Sequence, residues 1–301
     1  NITAKGRLCA HNYKVKIMSL VTATHEVAIY SDRIAKSAHF ASLDAFCDYN
    51  DVEHSTCMTK SSAWTEYASG KKMIELIQSR DMPNKIMERL NGAVELTGFD
   101  CLTVEAPQQT VTLSEAGFMP DMNAYYSGED EYMINMETVT TQSRTIWLAS
   151  SIISSGGVTA EVMTNRGVAL IRAVKTLQTA GYSVGLVAYL YGNAKSNTLV
   201  NVVVKTPDEP LNETLVAAAF AHPSFFRTLG HNVAAKLNGC NGGMNSLKKP
   251  SNDLFKNSFI DYEQLVILDG CFEYKDCETP YRAEQWIINE IETAIEQRNN
   301  T

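Results

Sequence analysis

The chain has 301 residues, 45% of them hydrophobic and 20% charged, which is enough apolar material for one large domain or two smaller ones and excludes wholesale disorder. A formal net charge of -8 and a pI near 5.3 exclude a chain coated in basic residues for non-specific duplex DNA. They leave room for a local basic groove on single strands, where stacking carries much of the affinity.

Cys9, Cys47, Cys57, Cys101, Cys240, Cys271 and Cys277 show no C-x-x-C spacing. They read as mostly reduced thiols of an intracellular protein; Cys271 and Cys277 could bridge but read rather as two separate thiols near a loop. No apolar run reaches the ~18 residues that span a bilayer. Residues 1–17 lack the apolar core of a signal peptide; Met18 could serve as a start, which would make them an extension or a processing remnant.

In chain order, residues 27–30 suit a short strand and residues 42–49 a short helix capped by Ser42. Residues 64–80 form an amphipathic pattern with Tyr67, Ile74 and Ile77 on one face, stopped at Asp81-Met82-Pro83. Residues 84–96 restart as a helix through Ile86, Leu90 and Val94. Residues 97–133 read as an irregular connector holding Pro107, Pro120 and the acidic patch Glu129-Asp130-Glu131.

The signal then strengthens. Residues 144–153 suit a buried strand, and Ser154-Ser155-Gly156-Gly157 a turn. Thr159 caps a helix to Thr179 that Gly181 closes in the left-handed conformation. Residues 183–191 and 198–205 are two more strands, the first parallel to the strand before the helix. Residues 211–220 and 224–237 are helical around a break at His222-Pro223, and residues 238–257 form a lysine-bearing loop. Residues 264–268 are a buried strand, and Thr279-Pro280 opens a final helix. The pattern is α/β: a central, mainly parallel sheet flanked by helices, Rossmann-like, with a mostly helical N-terminal layer. The expected division is a possible extension at 1–17, a helical and irregular region at 18–133 and an α/β domain at 134–301.

The stretch 145–192, with its Ser-rich turn, its helix containing Thr164-Asn165-Arg166-Gly167 and its Ala180-Gly181-Tyr182 strand start, resembles a von Willebrand factor A-type domain. That family binds magnesium through Asp-x-Ser-x-Ser, whose positions fall here on Ser151, Ile153 and Ser155. The resemblance implies the fold, while the metal motif is degenerate: the Asp is absent and one ligand position is aliphatic. Residues 39–239 carry Ser42-Leu43-Asp44-Ala45-Phe46, the acidic connector, Glu209-Pro210-Leu211 and Ala221-His222-Pro223-Ser224-Phe225-Phe226 in an order similar to an uncharacterised bacteriophage-encoded family. This implies a viral protein of the host cytoplasm, with virion association as the alternative.

Candidate chemistry gathers at the strand end. Ser150, Ser151, Ser154 and Ser155 sit where open α/β sheets bind ligands, with Asp269 at the end of another strand as the nearby carboxylate. Such a set suits an anion or a divalent ion, or else satisfies turn and helix-start backbone groups. Lys248, Lys249 and Lys256, with Phe255 and Phe259, offer phosphate contacts and stacking for single-stranded DNA. His222 suits a structural hydrogen bond, His231 a polar helix face and Cys240 a loop thiol. No nucleophile elbow, Walker loop, H-E-x-x-H or dinucleotide fingerprint is present. The expectation is a non-enzymatic phage accessory protein without a cofactor, binding single-stranded DNA in support of transcription or replication. The alternatives are a protein-binding adaptor or virion component working through the serine-rich edge or Glu129–Glu131, and a metal-dependent enzyme.

Overall fold

Eleven consecutive, mostly apolar residues, 182–192, become an interior strand of the sheet because both faces of that strand are covered. The computed structural model describes residues 19–23, 27–31, 35–51, 62–66, 68–91, 109–138, 144–153, 157–192, 197–238, 255, 265–268 and 277–299. Its elements are β1 Ser19–Ala23, β2 Val27–Ser31, β3 Ala35–Phe40, α1 Leu43–Asp51, α2 Gly70–Ser79, α3 Asn84–Asn91, β4 Gln109–Ser114, β5 Met119–Pro120, α4 Met122–Ser127 and β6 Met133–Thr138. There follow β7 Arg144–Ser151, α5 Ala160–Thr179, β8 Tyr182–Gly192, β9 Asn197–Lys205, α6 Glu213–Val216, α7 His231–Asn238, β10 Leu265–Leu268 and α8 Pro280–Asn299.

Seven strands form one sheet in the order β1-β2-β3-β9-β8-β7-β10. Within β3-β9-β8-β7-β10 the pairing is parallel except between β8 and β9, so the fold is α/β with a mainly parallel five-strand core flanked by helices. β1 and β2 extend it antiparallel. The expected helical N-terminal layer is corrected here: α1, α2 and α3 are present, but β1–β3 join the main sheet. β3 lies parallel to β9, which follows it by more than 150 residues. Residues 109–138 are also more regular than a connector, forming a separate three-stranded sheet in the order β4-β6-β5 with α4 between β5 and β6. The expected helix over 64–80 is shorter, because Glu66 adopts a left-handed backbone (φ 51°) after a 3-10 turn at Ala63–Thr65, and α2 restarts behind the Ser69 cap.

The caps fall where the residues indicated. Ser42 Oγ accepts from the Ala45 N–H at 3.1 Å, Thr159 Oγ1 from Val162 at 3.4 Å and Thr279 Oγ1 from Arg282 at 3.3 Å. Gly181 takes φ +83° between α5 and β8, a conformation that needs no Cβ.

One sheet face packs Ile146, Leu148, Leu186, Leu190, Val200 and Val202 against α5 and its neighbours. The opposite face buries Ala149, Val187, Tyr189, Leu199, Val203 and Phe255. α5 buries twelve of its 20 residues, the pattern of a helix enclosed on most sides. It lies against β8, α8 and the π-helical turn Ala217–Ala221 that continues α6. Gly167 makes that last contact possible: a Cβ there would stand 2.7 Å from the Ala221 Cβ. A salt bridge between Arg172 and Glu284 ties α5 to α8. A second π turn, Phe225–Gly230, runs into α7 after the break at His222 and Pro223. Phe225 and Phe40 both pack on Phe46 of α1, at ring distances of 5.3 and 5.1 Å.

Candidate functional site

At the carboxyl end of β7 the described serines turn inward. Ser150 and Ser151 are each 1% exposed, and Ser151 Oγ accepts from the Ile153 N–H at 3.3 Å. The Ile152 N–H donates to the Tyr189 carbonyl at 2.9 Å, so β7 is held to β8 past its last ladder pair. Ile153 is buried and offers no oxygen. The described part of the degenerate motif, Ser151 and Ile153, therefore does not fit a divalent ion. Ser154, Ser155 and Asp269 lie outside the described residues, as do Lys248, Lys249, Lys256 and Cys240. β7 and β10 do end side by side, Leu268 opposite Ser150, as a crevice at strand ends requires. Among the described residues no three His, Cys, Asp or Glu side chains are grouped to hold a metal, and no helix is long and apolar enough to cross a membrane.

A cleft of about 120 Å³ opens beside the start of α5, between α5 and α3. Lys85 and Arg89 line it together with Glu66 and Glu161, so its walls carry both signs and select no anion. Arg89 is itself engaged, donating to Asn165 Oδ1.

A second polar group sits on the far face of the sheet. His39 Nδ1 lies 2.8 Å from Asn201 Oδ1 and His39 Nε2 lies 3.1 Å from Ser37 Oγ. Burial pushes the His39 imidazole down to about 4, against a smaller upward pull from the Asn201 hydrogen bond. The order of groups resembles nucleophile, base and orienting amide. Ser37 and His39 have no exposed surface and Asn201 has 1%, so the trio braces β3 to β9. His222 has the structural role its position suggested: Nδ1 accepts from the Ser224 N–H at 3.1 Å, and burial lowers its pKa to about 4. The reading of His231 as a polar-face residue is corrected. Its ring packs on Phe226 at 4.8 Å, with burial and then the Arg227 charge lowering its pKa.

The exposed chemistry lies elsewhere, on the small sheet. Six large hydrophobic side chains are exposed among the described residues, and five belong to one short stretch: Phe118, Met119, Met122, Tyr125 and Tyr126. Phe118 is 62% exposed and Tyr126 78%. Monomers rarely leave such a contiguous patch in water unless something docks there. Local hydrogen bonds and close packing hold the stretch in place. Asp121 caps α4 by accepting from the Asn123 and Ala124 N–H groups at 2.8 and 3.3 Å, and its own N–H donates to the Tyr132 carbonyl at 2.7 Å. Gly117 passes so close to β6 that a Cβ would stand 2.2 Å from the Ile134 carbonyl oxygen. Tyr125 packs edge-on against both Tyr126 and Tyr132, at 5.7 and 5.1 Å. α4 buries only Ala124, so its aromatic and methionine side chains are left at the surface.

The rim of the patch is acidic: Glu115, Glu129, Asp130 and Glu131 are exposed beside it. Between Arg89 and Arg144 the chain holds nine acidic residues and no Lys, Arg or His. Since the whole chain is at -8, this segment at -9 carries more than the entire net charge and the rest of the chain sums to +1. The acidic run Glu129–Glu131 was legible, but the aromatic and methionine patch beside it was missed. The signal available for it was the long gap in basic residues together with the spacing Phe118, Met122, Tyr126.

The geometry defines an α/β protein whose main sheet is wrapped by helices and which carries an acidic, aromatic arm at residues 109–138. The model of a family described as a domain of unknown function, DUF7192, matches residues 24–271, and the chain belongs to that family. No curated protein and no solved structure matches the chain.

Proposed function

We propose that the chain is a non-catalytic accessory protein that acts by binding a protein partner through the arm of residues 109–138. The exposed cluster Phe118, Met119, Met122, Tyr125 and Tyr126 carries this reading, because an apolar patch rimmed by charge is the anatomy of a docking surface. The inward-turned Ser151 and the enclosed Ser37–His39–Asn201 group favour binding over catalysis. The parallel β7–α5–β8 unit closed by Gly181 supports reading the main sheet as von Willebrand A-like, working here without a metal. The motif order shared with the phage-encoded family makes an infected bacterial cell the setting in which to look for the partner. Single-stranded DNA binding would rest on Lys248, Lys249 and Lys256, and their joint replacement by Ala, with strand retention read at low salt, tests it.

A photo-crosslinking residue placed at Tyr126, and separately at the exposed Gln78 of α2, tests the adaptor reading in the source cell. A discrete adduct from position 126, absent from position 78 and lost when Phe118 is also changed to Ser, is the expected result. No adduct from 126, or the same adducts from both positions, would overturn it.

A further inference from the structure

The patch is built for side-chain docking. Strand addition is the usual alternative, yet β5 spans only Met119 and Pro120, and Pro120 supplies no backbone donor. The longer edge, β4, lies on the other side of β6 from the patch and carries none of the five exposed side chains. Met122 and Tyr126 stand four apart on α4 and form one exposed ridge of it, of the kind that packs into the groove of an apposed helix, and Phe118 precedes β5 in the same stretch. Met119 and Met122 add flexible, polarisable surface that moulds to a helix face.

The rim decides the partner's charge. The six acidic residues of the arm, Glu115, Asp121, Glu129, Asp130, Glu131 and Glu137, with no basic one between 109 and 138, attract Lys and Arg and repel phosphate. A second copy of the chain meeting this arm through its own would set the same acidic surfaces against each other, so the charge pattern also disfavours a symmetric dimer here.

We infer that the arm takes an amphipathic helix of a partner protein, with apolar residues on one face and Lys or Arg along its flanks. This rests on the adaptor reading above. Apolar side chains of the helix cover Phe118, Met122 and Tyr126, and its basic flanks reach Glu129, Asp130 and Glu131.

The test is fluorescence anisotropy of a labelled synthetic Leu/Lys peptide with Leu at i, i+3, i+4 and i+7. The expected result is saturable binding that weakens at least about tenfold with Phe118→Ser/Tyr126→Ser. Glu129→Gln/Asp130→Asn/Glu131→Gln should weaken it several-fold and flatten its salt dependence. Circular dichroism checks that both variants are folded. Equal binding by a Leu/Glu helix, or by a Leu/Lys peptide of scrambled phase, would contradict the inference. So would displacement by oligo-dT, or a concentration-dependent dimer in sedimentation that Phe118→Ser/Tyr126→Ser abolishes. A position-126 adduct without peptide binding sinks the helix and leaves the adaptor. Loss of both sinks both.

Discussion

Acidification from about pH 7 to about pH 4 is expected to remove about 6 kcal/mol of stability, close to the whole margin of many domains. His39 and His222 carry most of it, each lowered from 6.5 to about 4 in the fold, chiefly by burial, and the smaller lowering of His231 acts in the same direction. Both folded values lie below the unfolded one, so the unfolded chain takes up protons first. The contribution is whole above about 6.5, falls as pH drops, and is fully lost once pH passes about 4. The two histidines differ in how protonation hurts. His39 faces Asn201 Oδ1 and Ser37 Oγ, both able to accept, so burial alone opposes its charge. His222 Nδ1 accepts from the Ser224 N–H, and a proton there sets donor against donor at the break between the two π turns. His222→Asn keeps an acceptor for that N–H and removes the titration. Urea unfolding at several pH values should show about half the parental acid loss in this variant. A parent equally stable at pH 7 and pH 4, or a variant with the parental slope, would contradict the account.

Replacing Gly167 with Val is expected to destabilise the protein by about 2–3 kcal/mol, although Gly→Ala on an exposed helix typically gains about 1 kcal/mol. The sign reverses because α5 meets the Ala217–Ala221 turn at this residue. The new Cβ would lie 2.7 Å from the Ala221 Cβ and 3.1 Å from its Cα and N. Backbone cannot yield as a flexible side chain does, so α5 and the turn must separate, loosening the packing around Leu170 and Phe220, both fully buried. Gly157 is the control: it is exposed, with nothing within 4 Å of a Cβ, and Gly157→Ala should leave stability unchanged or slightly raised. Thermal melts read the contrast, with Gly167→Val lower by about 5–10 °C. Equal melts for the two variants would show that Gly167 is not a close contact.

The parts of the fold legible from residues were those whose causes are local. β7, α5, β8, β9 and α8 announce themselves through apolar runs bounded by Thr159, Gly181, Thr279 and Pro280, and the caps form as those residues dictate. Of the first three strands only β2 was legible, at 27–30; β1 and β3 were harder because β3 is held by β9, a partner remote in sequence, and no local pattern reports such a pairing. The stop before α2 depends on Glu66 adopting φ 51°, unusual for a residue with a side chain. Residues 109–138 read as a connector because their strands are short and interrupted by Gly117, Pro120 and Gly128. For the site, serine at a strand end signals ligands and backbone satisfaction equally, and the structure gives Ser151 the second role. The patch was hidden for another reason. Phe, Met and Tyr are ordinarily core residues, and only the fold shows that α4 buries Ala124 alone and leaves Met122, Tyr125 and Tyr126 exposed.

The arm is expected to bind while the main sheet carries it. Phe118→Ser/Tyr126→Ser, with the crosslinking residue at Met122, tests this in one preparation read by melting and by adduct yield. The expected result is a melting temperature within about 1 °C of the parent, since these side chains are exposed, together with loss of the adduct. An undiminished adduct at unchanged stability would contradict it.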